Sequence, residues 1–170
     1  MAKKAEARAG GAAKRVRALP AVKSVLERYA QRGVFRSLSE TAGAAGIAEF
    51  RFHWLWNLPF RLLFEEQRRT ITFDKLLPDT QAGSAVREGL NDFLADYLST
   101  ERPEHRRFDK NRVAVRFTTR RGVTSLTFTM ASDYAYGTER AIHFVNELFI
   151  TFLNLHYPQY MVKNFRLSEE

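Results

Sequence analysis

The chain has 170 residues, 45% of them hydrophobic, and no cysteine. That length supports one self-sufficient core, and the missing thiol excludes disulfides, thiolate zinc sites, iron–sulfur clusters and cysteine nucleophiles. The net charge of +8 is unevenly placed: residues 1–23 hold seven of the 27 Lys and Arg and a single acid, a net +6, which leaves +2 for everything that follows.

Residues 1–18 are Ala, Gly, Lys and Arg with almost nothing to bury, and Gly10-Gly11 breaks any long helix. They read as a disordered basic arm ahead of a single domain over 19–170. The arm's cations are Lys3, Lys4, Arg8, Lys14, Arg15 and Arg17, with Lys23 just beyond, and such a cluster binds polyanions. An Ala- and Arg-rich, acid-poor start is also the composition of an organellar transit peptide, although no serine precedes Ser24. The segment has no apolar h-region, and no stretch nears the roughly 18 apolar residues of a membrane helix. The expectation is a cytoplasmic protein.

Pro20 suits the first turn of a helix, in which Val22, Val25, Leu26 and Tyr29 share a face and Gly33 caps the end. Val34 to Leu38 is a short strand or an extended lead-in, and Thr41 to Gly46 is a loop of small residues. Phe50, Phe52, Trp54 and Trp56 then occupy alternate positions, the signature of a strand with one aromatic face. After Asn57-Leu58-Pro59, a second strand places Phe60, Leu62 and Phe64 on one side, and Thr70 to Phe73 forms a third. Both tryptophans are expected in the core on the same side of the sheet.

Ser84 is a candidate N-cap for a helix whose apolar stripe is Val86, Leu90, Phe93, Leu94 and Tyr97. A polar linker over Glu101 to Asn111 follows. Val113, Val115 and Phe117, the turn at Arg120-Arg121-Gly122, and Leu126, Phe128 and Met130 make a hairpin with one apolar face. Thr138 is expected to cap a last helix whose apolar residues, from Ala141 to Leu155, span a wider arc than one packing face needs. That surplus suggests a second subunit, and a two-fold homodimer is the commonest arrangement.

The order α-β-β-β-α-β-β-α defines an α+β fold, an antiparallel sheet of about five strands with helices on one face. Over about residues 20–156 this order resembles that of the type III secretion chaperones and related small dimeric α+β proteins. The resemblance is one of element order and implies a dimeric, chaperone-like binding module. Such chaperones are typically acidic, whereas this chain has a pI near 10.0.

The same registers put Arg51, His53, Arg61, Arg112 and Arg116 on the face away from the rings, among Thr118, Thr127 and Thr129. Guanidinium matches phosphate geometry, so this face joins the arm as a candidate polyanion site; Arg and Thr are equally ordinary on the wet face of a sheet. The aromatic set Phe50 to Trp56 lacks cations on its own side and reads as core rather than as a base-stacking platform. Glu139, His143 and Glu147 share a helix face, but with no second cluster they read as a solvated stripe and not a metal site. No phosphate-binding glycine loop, Gly-x-Ser-x-Gly or His-Glu-x-x-His occurs. No catalytic residue, cofactor or metal is therefore assigned. The expected function is a non-enzymatic binding or adaptor module with a protein partner; the alternative is association with nucleic acid through the arm and the basic sheet face.

Overall fold

The computed structural model describes residues 18–44, 46–103 and 108–167. Lys3, Lys4, Arg8, Lys14, Arg15 and Arg17 lie outside them. Helix α1 runs through 18–31, and its first described residue, Ala18, is helical and 2% exposed. The packed domain thus includes residue 18, which composition alone had placed in the arm.

Six strands follow in one antiparallel sheet: β1 (Arg36–Ala42), β2 (Ile47–Trp54), β3 (Leu58–Glu65), β4 (Thr70–Leu77), β5 (Val113–Arg120) and β6 (Val123–Met130), ordered β1-β2-β3-β4-β6-β5. The fold is α+β as expected, with one strand more than the five anticipated. The added strand is β1, which takes in the end of the stretch read as a short strand or lead-in and the first two residues, Thr41 and Ala42, of the stretch read as a loop. Helix α2 (Ala85–Tyr97) lies between β4 and β5. The last long helix, α3, starts at Tyr134–Glu147 and continues through a π-helical Leu148–Leu153 to His156. Helix α4 (Pro158–Phe165) completes the described chain.

Local chemistry sets these boundaries. Ser84 caps α2 as expected, its hydroxyl accepting from the Arg87 N–H at 3.3 Å. Asp133, not Thr138, caps α3, by accepting from the Tyr136 N–H at 3.0 Å. Thr138 is buried within the helix and donates to the Tyr134 carbonyl at 2.7 Å, the back-bond a helical threonine makes when denied water. Between β2 and β3, Leu55, Trp56 and Asn57 are all left-handed, with φ of 43°, 54° and 60°. The chain turns at Trp56 instead of continuing the strand. Trp54 is 6% exposed and packs with Phe35 and Phe60, whereas Trp56 is 43% exposed. The shared burial of the two indoles is therefore corrected.

The core lies on one face of the sheet. Phe50, Phe52, Phe60, Phe64, Phe73 and Phe128 project from the strands onto α1 and α3, and ring contacts between helix and sheet are made on this side. Phe144 is central, with Tyr97, Phe93, Phe108, Phe117 and Phe128 around it. Phe108, from the segment read as a polar linker, is buried against Tyr97 and Phe128. The wide apolar arc of α3 is explained within the chain. One flank meets the sheet, and the other meets α2 through Phe93 and Phe152 and α4 through Phe149 and Phe165. Only Ile150 and Leu155 of that arc remain as large exposed side chains. Two such residues fall far short of the roughly 800 Å² per partner of a standard interface, so the arc no longer argues for a second copy.

Candidate functional site

The opposite face of the sheet carries the polar alternates of every strand. Its centre is an ion-pair network. Glu49 of β2 accepts from Arg51 Nε at 2.6 Å and from Arg61 Nε at 2.7 Å, and Arg61 also donates to Asp74 of β4. The β2–β3 register brings these groups together, with Arg51 opposite Arg61 and Glu49 opposite Leu63. Two guanidinium groups hold the Glu49 carboxyl well below its ordinary range, at about 2, through their hydrogen bonds. Arg51 and Arg61 do lie on the open face, but both are already committed to carboxylates.

Arg112 is placed elsewhere. It precedes β5 at the end of the sheet, pairs with Asp133 at 2.7 Å and stacks over the Tyr136 ring at 3.5 Å. It braces the start of α3 and is not beside Arg116. Lys23 is held by Glu40 of β1 at 2.7 Å. In the polar stripe of α3, Glu139 pairs with Arg28 and Glu147 with Arg102. Two carboxylates that could ligate a metal are thus turned onto arginines.

Of the sheet arginines assigned from the sequence, Arg116 lines a groove rich in cations. A groove of about 810 Å³ crosses the open face over β4, β6 and β5. Arg68, Lys75, Arg116, Arg120 and Arg121 line it, against the two acids Glu65 and Asp74. Both acids are occupied, Glu65 by Arg68 and Asp74 by Arg61. Among the described residues, Lys75, Arg116, Arg120 and Arg121 make no salt bridge, and all four are exposed. Between them stand hydroxyls, with Thr72 Oγ1 bonded to Thr127 Oγ1 at 3.1 Å and Ser125 Oγ accepting from the Lys75 N–H at 3.0 Å.

Two backbone devices aim the cations. The β5–β6 hairpin closes with Arg120 opposite Val123, and its two loop residues, Arg121 and Gly122, have φ of 52° and 75°, the paired left-handed geometry of a tight hairpin turn. The Gly122 carbonyl is then anchored by the Thr80 N–H at 2.7 Å and the Thr80 hydroxyl at 3.1 Å. In β4, the register against β6 shifts between Phe73 and Leu77, and Lys75 sits at φ 50° within the shift. This bulge brings Lys75 onto the groove beside Asp74. Sequence reasoning read Arg120 and Arg121 as turn residues and passed over Lys75. The Arg-Arg-Gly turn was the visible signal, whereas nothing local marks the bulge.

No family model, no curated protein and no solved structure matches this chain. No described helix is long and apolar enough to cross a membrane.

Proposed function

We propose that this chain is a non-catalytic module that associates with nucleic acid by gripping phosphates on the open face of its sheet. The observation that carries this reading is the placement of four cations without carboxylate partners among the described residues, Lys75, Arg116, Arg120 and Arg121, around one hydroxyl-lined groove. Guanidinium and ammonium groups among threonine and serine hydroxyls are the donor set that phosphate oxygens take. Among the described residues no aromatic ring lines the groove, so its contacts are to the nucleic-acid backbone and carry no sequence preference of their own. The basic arm over residues 1–18 adds a net +5 by composition to the same particle.

An adaptor for a protein partner belongs to the same non-catalytic class, but it needs an apolar surface. The large exposed apolar side chains among the described residues are four, Val34 before β1, Trp56 in the β2–β3 turn, and Ile150 and Leu155 on the last long helix, α3. The groove therefore favours the polyanion over the protein. Anisotropy of a labelled oligonucleotide, titrated at several salt concentrations, tests the proposal. Binding should weaken steeply with salt, and joint replacement of Lys75, Arg116, Arg120 and Arg121 by alanine should flatten that slope. A slope unchanged in the fourfold variant would remove the groove as the site.

A further inference from the structure

Strands β3 and β4 do not pair along their whole length. Their register runs from Leu62 opposite Phe73 to Glu65 opposite Thr70, and Leu58 to Arg61 has no registered partner in β4. The bulge at Lys75 lies in the same stretch and carries β4 away. The gap is a cleft of about 370 Å³ in an otherwise continuous sheet. Three rings contribute to its lining: Phe60 of β3 and Phe149 of α3, both buried at its floor, and the half-buried Phe165 of α4, with Phe149 centred 5.6 Å from each of the other two. Its mouth is cationic. Lys75 stands on one side and Arg166, the left-handed residue that ends α4 at φ 53°, on the other. Neither makes a salt bridge among the described residues, while Asp74 at the rim is taken by Arg61.

A cleft of this size with aromatic walls and a cationic mouth suits a planar ring attached to an anionic group. The cleft and the groove adjoin at Asp74 and Lys75. We infer that the β3–β4 cleft receives a single unpaired base of a nucleic-acid strand whose phosphates lie along Lys75, Arg116 and Arg120. This rests on the groove reading above and deepens it: the backbone grip comes from the open face, and selection for single strands comes from the cleft, since a base within a duplex cannot leave its stack without cost.

The test uses the full chain and two labelled strands of about twelve thymidine nucleotides, one intact and one in which every base is replaced by an abasic residue. The phosphate charge is the same in both. The intact strand should bind roughly tenfold more tightly, the order of one stacked base. Phe165→Ala removes one wall, and Asn164→Trp enlarges a half-buried side chain at the lining to fill the mouth. In each, the ratio between the two strands should fall toward one while the salt dependence of both is kept. Equal affinity of the wild-type chain for both strands would overturn the cleft and leave the groove standing. A preference that survives both substitutions would also overturn it. Failure of both strands to bind at low salt would overturn the groove reading and the cleft with it.

Discussion

Glu49 on β2 accepts a hydrogen bond from Arg61 on β3 at 2.7 Å, and Arg61 reaches on to Asp74 of β4, so that one guanidinium ties three adjacent strands on the open face. Two consequences follow for Glu49, whose carboxyl is lowered from 4.5 to about 2 chiefly by the hydrogen bonds from Arg61 and Arg51. The folded state holds the Glu49 proton less well than the unfolded chain. The contribution of this group to stability is therefore fully present above 4.5 and is lost as pH falls through the window down to about 2. Urea midpoints measured at about pH 5 and about pH 2.5 should show a drop in the wild type that is smaller in Glu49→Gln. An identical drop in both proteins would assign the acid sensitivity to other carboxylates.

Trp54 and Trp56 separate two kinds of aromatic residue that alternation alone treats alike. Trp54→Ala should cost on the order of 3–5 kcal/mol, the usual loss for a large buried ring. Trp56→Ala should stay within about 0.5 kcal/mol, as expected of a surface substitution. Iodide should quench one of the two indoles and spare the other. Equal quenching of both, or a large loss at Trp56, would show that the turn packs against something it does not touch here.

The sheet was legible wherever apolar and polar residues alternate against water on one side. Phe60, Leu62 and Phe64, and Leu126, Phe128 and Met130, are buried as their period of two implies. β1 gave no such signal because it is an edge strand exposed at six of its seven positions, and it is held by its pairing to β2. The turn at Leu55 to Asn57 was invisible because Trp56 continues the aromatic alternation in sequence while the backbone has already reversed. In the site, Arg116 follows from alternation alone. The commitment of Arg61 does not, because it depends on the cross-strand register that brings Glu49 and Asp74 within reach, whereas Arg51 pairs with Glu49 two residues away on its own strand. Lys75 depends on a bulge. Side-chain direction within a strand is a local property, whereas pairing of charges between strands is not.

Gly89 marks the closest approach of α2 to the end of α3. A Cβ built there would overlap the Tyr157 hydroxyl and lie 3.0 Å from Phe152 Cζ. The Tyr157 hydroxyl meanwhile donates to the Ala85 carbonyl at 3.2 Å. Alanine normally favours a helix interior over glycine by about 1 kcal/mol. At this position the gain is offset by displacement of Tyr157 and loss of its hydrogen bond. Gly89→Ala should accordingly destabilise, by about 1–3 kcal/mol as overpacked sites do, and Tyr157→Phe in the same background should recover part of the loss. A melting temperature raised by Gly89→Ala alone would mean that α2 can shift away at no cost.

The hydroxyls of Thr80, Thr124 and Thr119 form a short chain beneath the β5–β6 turn, with Thr80 to Thr124 at 2.6 Å and Thr124 to Thr119 at 2.7 Å. Thr80 and Thr124 are fully buried, and Thr80 is the residue that holds the Gly122 carbonyl. Thr124→Val keeps the shape but deprives both neighbouring hydroxyls of a partner, one of them sealed from water. Thr80 keeps its bond to the Gly122 carbonyl, so the expected cost is that of an ordinary hydrogen bond, about 0.5–1.5 kcal/mol. The same turn carries Arg120 and Arg121, which point to solvent and are bound by no acid among the described residues. Arg121→Ala should leave stability within about 0.5 kcal/mol while lowering the salt slope of oligonucleotide binding by about one. Thr124→Val should do the reverse, losing stability and keeping the slope, because the number of phosphate contacts is unchanged as long as the chain is folded. The two substitutions therefore separate the anchor of the turn from its charge. Loss of slope in Thr124→Val at a temperature where it remains folded would show that the buried hydroxyls also set where the arginines point.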